Sequence, residues 1–455
     1  MMHLQIYERR FMFLLITALL SINILSAQTT PRTTDEDLKF YIRLTGLKAL
    51  PPVAPKREAL YQLGLRLFYD KQLSGNNNIS CHACHSLSGY SADTLPLGVG
   101  EGADGLGPKR VQAHGNILPR HTPSLYNAGI EGIKTFMWDG SIQLHPGGGW
   151  LTGEAGLNGP NPELAHIAKN LDSLLSVQAL FPIANPEEML GRNQANLSRV
   201  EAWEQTMHRI FNGRLGGSYK RFFREAYPEV EEFNIAHAAN AIAELVRHHF
   251  VANMTPWDEY LRGRTQFMSE RMKKGAIVFM NKGQCTNCHT GAHLSSFGFQ
   301  NIGIPQVGPG IKDGNDLGRA EFTGSSANKY QFRVTPLRNG ALTAPYMHSG
   351  VFKTMWEVID HYDHPMRSLH HFNWWNPKDP RYSQDIIADL SRANMNERAR
   401  TLGATLPRMV GFTSEEKKDL YCFLMVGLTD FKLQHDLIAK GVLDETPDCS
   451  PVIIR

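Results

Sequence analysis

The sequence predicts a mainly α-helical chain made of two similar units packed together, with long irregular loops. Three observations carry that expectation. The five-residue pattern C-x-x-C-H occurs twice, at 81–85 (CHACH) and 285–289 (CTNCH). A stretch with a helical apolar stripe precedes each copy. Each copy is followed by a long Gly- and Pro-rich stretch and then by a closing amphipathic helix.

The elements follow in chain order. Arg9 and Arg10 precede the apolar run FMFLLITALLSINIL, which ends in small residues at Ser26 and Ala27. This is the pattern of a secretory signal peptide, residues 1–27, cleaved near Ala27. An uncleaved membrane anchor is the alternative, but the run is shorter than the roughly 20 apolar residues a span requires. No later segment is apolar enough to span a bilayer, and no cysteine follows the run to carry a lipid. The mature chain is therefore expected in the periplasm.

The first unit, 28–262, has EALYQLGLRLFYD before its motif, with Leu60, Leu63, Leu67 and Phe68 on one face, and closes with AHAANAIAELVRHHF. The boundary is expected within PWDEYLRGRT (256–265). In the second unit, 263–445, RMKKGAIVFMNKGQ precedes the motif, with Met272, Ile277 and Phe279 apolar. SEEKKDLYCFLMVGL closes it, with Thr413 or Ser414 as N-cap. A short tail, 446–455, follows. Two polar, turn-rich stretches break the symmetry, 141–171 and 367–406, and are expected to be surface insertions.

Composition sets limits on function. A chain of 455 residues with 42% hydrophobic and 20% charged residues is ordinary for a globular protein of two domains. Its net charge of +3 is small, and no basic run is interleaved with aromatics, so no nucleic-acid partner is expected.

C-x-x-C-H is the covalent haem-attachment signal. Two thiols three residues apart can each add to a vinyl group of one porphyrin, and the following histidine can then bind the iron from one face. On this basis Cys81, Cys84 and His85 hold one haem and Cys285, Cys288 and His289 a second, while His82 fills a spacer position. A four-cysteine zinc site does not explain a histidine at the same offset in both copies, and C-x-x-C disulfides close only small strained rings. Of the other two cysteines, Cys422 lies in an apolar helical stretch and is expected as a buried free thiol; a disulfide with Cys449 is the alternative in an oxidising compartment.

Several phrases together resemble one known group, the bacterial di-haem cytochrome c peroxidases and their MauG-type relatives: LGLRLFYDKQLSGNNNISCHACH, RHTPSLYNAG, FMWDG, QALFPIANPEEM, FGFQNIGI, FRVTPLRNGALTAPYMHSG and LTD. The resemblance implies two cytochrome c-like domains. It puts the peroxidatic haem on the first motif, the electron-transfer haem on the second, and Trp138 between them. Trp138 could equally be a core aromatic. It gives Glu188 the acid–base role that moves a proton between the peroxide oxygens, with Gln178 as a supporting amide. The alternative for Glu188 is a capping box behind Asn185 and Pro186. His114 matches a histidine that occupies the reactive iron, and His121 is a second candidate.

At the second haem the position of a typical methionine ligand falls on Tyr362, which shares a helix face with Met355, Val358 and Ile359. A core tyrosine is the bland alternative, and Met347 and Met366 keep a methionine ligand open. A tyrosine ligand would favour higher oxidation states and resembles the MauG-type branch. The resemblance further implies calcium on the carbonyls of Thr343 and Pro345, although the asparagine expected to complete that site is replaced by His121, a poor ligand for a hard cation. Arg338 suits a haem propionate, or else a surface salt bridge. His361, His364, His370 and His371 are expected in solvated loop.

The function these observations favour is an exported di-haem peroxidase. It would reduce hydrogen peroxide to water with electrons from a small c-type cytochrome or copper protein, passed through the second haem to the first. Oxidation of side chains on a partner protein is a variant of the same chemistry, which Tyr362 favours. A non-catalytic electron carrier is the alternative of a different class, and it would need neither Glu188 nor Gln178. A homodimer is compatible with the sequence.

Overall fold

The computed structural model describes residues 32–308, 315–372, 379–383, 386–389, 391–404, 406, 409–441 and 449. The expected signal peptide lies outside them, as do parts of the 367–406 stretch and of the tail. No described helix is long and apolar enough to cross a membrane.

Helix α1 (Thr34–Thr45) starts on a capping box between Thr33 and Glu36. Helix α2 (Glu58–Tyr69) buries Leu60, Leu63, Leu67 and Phe68, the stripe expected from the sequence. Helix α3 (Cys81–Cys84) is a single turn that carries the first motif. A three-stranded antiparallel sheet follows, β1 (Thr135–Phe136), β2 (Ile142–Leu144) and β3 (Trp150–Thr152), with Ile142 opposite Thr152. Helices α4 (Leu174–Ile183), α5 (Arg199–Asn212), α6 (Gly216–Ala226) and α7 (Ile235–His249) complete this part. The 141–171 stretch is not merely a surface insertion: its Ile142, Leu157 and Ile167 are buried in the first core.

Helix α8 (Pro256–Leu261), capped by Thr255, occupies the expected boundary and buries Trp257 fully. Beyond it lie α9 (Glu270–Met280), a 3-10 turn at Cys285–Asn287 carrying the second motif, α10 (Met355–Asp363), α11 (Ser414–Cys422) and α12 (Phe431–Ala439). Thr413, not Ser414, is the N-cap of α11, and its hydroxyl accepts from the Glu416 amide. Cys422 is not a free thiol. It is bonded to Cys449 across a Cα–Cα separation of 5.2 Å and ties the tail to the end of α11.

Two hydrophobic cores result. The first gathers α2, α4, α5, α6 and α7; the second gathers α9, α10 and α11. The second core also takes Leu38 of α1 and Leu95, Leu97, Val99 and Ile117 from the loop after the first motif, so packing crosses the 28–262 and 263–445 partition.

The two units repeat one crossing. A Cβ added at Gly64 of α2 would sit 1.9 Å from the Ala241 carbonyl oxygen of α7, and one added at Gly275 of α9 would sit 1.9 Å from that of Asp419 in α11. Each helix before a motif thus rests directly on the backbone of its closing helix, and only glycine permits that approach. Gly64→Ala and Gly275→Ala should each cost about 1–3 kcal/mol. A lower midpoint in urea unfolding would register that cost, and an unchanged midpoint would refute the close crossing.

Candidate haem sites

The two motif turns present their histidines in the same way. The His85 Nδ1–H donates to the Ser91 carbonyl at 2.8 Å, and the His289 Nδ1–H donates to the Leu294 carbonyl at 2.9 Å. A carbonyl can only accept, so Nδ1 carries the proton in both rings, and Nε2 keeps its lone pair. Burial holds both imidazoles below their ordinary pKa, which favours this neutral form. Burial also pushes the thiols of Cys81 and Cys285 up to about 12 and that of Cys84 up to about 11. The four motif cysteines take no part in a disulfide. Among the described residues no three or more His, Cys, Asp or Glu side chains converge as a metal-binding group, so a shared four-cysteine site has no geometry.

Both motifs open on one cavity of about 680 Å³. Its wall includes Leu125, Leu175, Met189 and Val246 of the first core and Ile304, Val358, Ile359 and Leu420 of the second. A paired set of thiols beside an imidazole with an uncommitted Nε2, on an apolar wall, fits a porphyrin at each motif.

The polar lining on the side of the first core includes Gln178 of α4 and Glu188 of a five-residue π turn, Pro186–Leu190. Asn185 caps that turn as expected, and its side-chain oxygen accepts from the Glu187 amide at 2.9 Å. The capping box does not form, because the Asn185 backbone amide is committed to the Pro182 carbonyl. The Glu188 carboxylate instead accepts from Asn185 Nδ2 at 3.0 Å and faces the cavity. Burial, reinforced by the charge of Glu187 and opposed by the Asn185 hydrogen bond, raises its pKa to about 7. Glu188 and Cys84 are close enough to interact electrostatically.

Trp138 lies on the cavity wall, half-buried, and its indole N–H donates to the His121 carbonyl at 2.8 Å. Sequence reasoning gave no role to two neighbours of this tryptophan. His348 is buried, stacks on Phe332 at 3.6 Å and meets Trp138 edge-on at 6.4 Å. Arg120 is held between Asp139 and Asp316, each at 2.7 Å. The one available signal was charge inside phrases otherwise apolar: the Asp of FMWDG and the Arg before His121.

At the second motif, Met355, Val358, Ile359 and Tyr362 of α10 all line the cavity, the face expected from their spacing. Tyr362 lies close to Cys285 and Cys288, and burial, with those sulfurs alongside, raises its phenol above the ordinary range. Met347 also lines the wall; Met366 does not.

Other expectations need correction. His114 is exposed and absent from the cavity wall; its amide is bonded to Gly102, on the outer side of a loop. His121 is the histidine of that region that reaches the wall. Arg338 makes no surface salt bridge. Its guanidinium is bidentate on the buried Asp258, at 2.7 and 2.8 Å, and donates to the Ala292 carbonyl at 2.6 Å. It still borders the cavity, but most of its donors are committed before any propionate arrives. His361 is not in solvated loop: it is buried in α10, donates from Nε2 to the Ile302 carbonyl, and has its pKa lowered by burial to about 4. His370 and His371 are exposed as expected. The calcium donors do not fit that ion. Thr343 and Pro345 border the cavity, but the third position presents the imidazole of His121, whose Nδ1–H is bonded to the Leu95 carbonyl at 2.7 Å.

Comparison with known proteins agrees with this geometry. Residues 58–266 match the family described as di-haem cytochrome c peroxidase. The cytochrome c551 peroxidase of Pseudomonas aeruginosa is 30% identical over 320 residues, 70% of this chain and 73% of that protein. The methylamine utilization protein MauG of Methylorubrum extorquens is 28% identical, over 68% of this chain and 69% of that protein. Among solved structures, a MauG-like protein associated with microbial copper homeostasis superimposes with a TM-score of 0.57 at 26% identity, covering 84% of this chain and 94% of that one. The diheme peroxidase BthA from Burkholderia thailandensis shares the fold, with a TM-score of 0.52 at 18% identity, over 84% of this chain and 94% of that one. With the paired motifs facing one cavity and most of both chains aligned to these relatives, the chain belongs to the di-haem cytochrome c peroxidase family that includes MauG.

Proposed function

We propose that the chain is an exported, periplasmic peroxidase that reduces hydrogen peroxide to water at the first motif. A small c-type cytochrome or copper protein would supply electrons one at a time through the second motif. Family membership makes it a peroxidase-type oxidoreductase with haem cofactors. The proposal adds that Cys81, Cys84, Cys285 and Cys288 would attach the haems covalently, that His85 and His289 would bind their irons, that 28–262 and 263–445 would hold one haem each, and this direction of electron flow. Such haems supply an iron that binds peroxide and a store of exchangeable electrons.

The observation that carries the proposal is the Glu188 carboxyl, raised to about 7 on the cavity wall near Cys84. Breaking the O–O bond heterolytically requires a proton to leave one oxygen and arrive at the other. A carboxylate near neutrality can accept that proton and return it, where an ordinary one would hold it too weakly. Gln178, with both a donor and an acceptor, would orient the peroxide. In total, one hydrogen peroxide, two protons and two electrons give two waters. A non-catalytic carrier has no use for an acid placed there.

A second reading, oxidation of a partner protein's side chains, is supported by Tyr362. A buried phenol beside Cys285 and Cys288 that became an iron ligand would lose its proton, and the phenolate would favour the oxidised metal.

Three results test these proposals. Because Glu188 must first act as base, the rate of reaction with peroxide should rise with pH through about 7 and level off above. Glu188→Gln should lower it by about 10²–10⁴-fold and flatten that profile in stopped-flow measurements; a near-native rate would eliminate the role. Tyr362→Phe should change the ligand-field spectrum of one haem and leave the other alone, and an unaltered spectrum would remove the tyrosine ligand. Mass spectrometry of the Cys81→Ser, Cys84→Ser double variant should find a single covalent haem per chain.

A further inference from the structure

We infer that the seam between the two halves of the cavity wall is fastened by the imidazole of His121 and takes no calcium ion. The inference needs the family membership, but it does not depend on the peroxide chemistry.

His121 is 6% exposed and is held through its backbone and through Nδ1 of its ring. Its backbone N–H donates to the His348 carbonyl at 2.6 Å, and its own carbonyl accepts the indole N–H of Trp138 at 2.8 Å. Its ring donates from Nδ1 to the Leu95 carbonyl at 2.7 Å and also faces the carbonyls of Pro96 and Thr343. The Asp93 carboxylate lies within electrostatic reach and is itself fixed by the Thr122 hydroxyl at 2.8 Å and the Leu95 amide at 3.1 Å. Leu95 and Pro96 belong to the loop after the first motif, whereas Thr343 and His348 follow the second. The ring therefore joins two distant parts of the chain.

Several carbonyls turned toward one point, with a carboxylate behind them, repel one another unless something positive or hydrogen-donating stands between. A calcium ion would satisfy them only with roughly six to eight oxygen ligands around it. Here a side chain already occupies the place. Nδ1, which carries the proton, has no lone pair for a metal, and the lone pair left on Nε2 belongs to an imidazole nitrogen, a poor donor to a hard cation. The ring supplies the N–H that the carbonyls require, and it does so without leaving the chain. Because the same residue's carbonyl receives the Trp138 indole, His121 is a positioning residue for that tryptophan.

The test uses the exported, haem-loaded protein after passage over a chelating resin, with bound calcium read by plasma mass spectrometry and melting followed in EGTA and in calcium chloride. The wild type should retain no stoichiometric calcium and melt at one temperature in both. His121→Asn, which restores an oxygen donor, should melt lower in EGTA by about 2–4 °C and regain the difference in calcium chloride. One calcium per wild-type chain whose removal lowers the melting temperature would overturn the inference, as would a His121→Asn protein that melts like wild type in EGTA. Should that variant not fold, His121→Gln takes its place in the EGTA arm, and the wild-type calcium content alone still decides. Haem absorbance on every sample separates loss of the fastening from loss of haem.

Discussion

A half-buried imidazole whose Nδ1 proton is committed to a backbone carbonyl has one group left to offer, the lone pair of Nε2. Both motif histidines are in that condition, tied to Ser91 and to Leu294, and both belong to the wall of the same cavity. The carbonyl partners lie only six and five residues beyond their histidines, so the tautomer is set by a local turn. The rest of the architecture keeps those turns in place. Each is preceded by a helix that crosses its closing helix at a glycine, Gly64 over Ala241 and Gly275 over Asp419, which leaves no slack between helix and motif.

Around this repeated frame the charges are arranged unequally. Asp139 and Asp316 are met by Arg120, and Asp258 by Arg338. Glu188 is different. Its hydrogen bond comes from a neutral amide, its nearest charged neighbour is another glutamate, and no cation is among its partners in the described residues. A carboxyl kept in that state holds its proton near neutrality, whereas the paired aspartates are available only as fixed counter-charges. The carboxyl with the raised pKa thus lies near Cys84, while beside Cys285 and Cys288 α10 presents a phenol and apolar side chains.

Much of this was legible in the sequence because it depends on local spacing. The stripe Leu60, Leu63, Leu67 and Phe68, the face Met355, Val358, Ile359 and Tyr362, and the two C-x-x-C-H turns all follow from the helical repeat and from thiol geometry. What escaped depends on distant partners. Arg338 was expected to meet a propionate or solvent, since nothing near it in sequence reveals Asp258, which lies 80 residues away. His114 and His121 are indistinguishable as residue types; a loop that turns one outward and a seam that encloses the other separate them. The 256–265 stretch, rich in charge, gives no local sign of the burial of Trp257, which meets Phe423 from a distant part of the chain in the second core.

The surroundings of the two motifs are therefore alike where the backbone makes them and different where side chains finish them. This follows from the order of constraints. The helix crossing and the histidine tie act on the main chain, so a second copy of the motif must reproduce both to present its Nε2 at all. The rest of the lining around each motif comes from separate elements, the π turn Pro186–Leu190 near Cys84 and α10 beside Cys285 and Cys288, which share no packing requirement. Those elements can diverge without disturbing either motif. A carboxyl then lies near Cys84 and a phenol beside Cys285 and Cys288, while the indole of Trp138 is tied to the His121 carbonyl on the same wall.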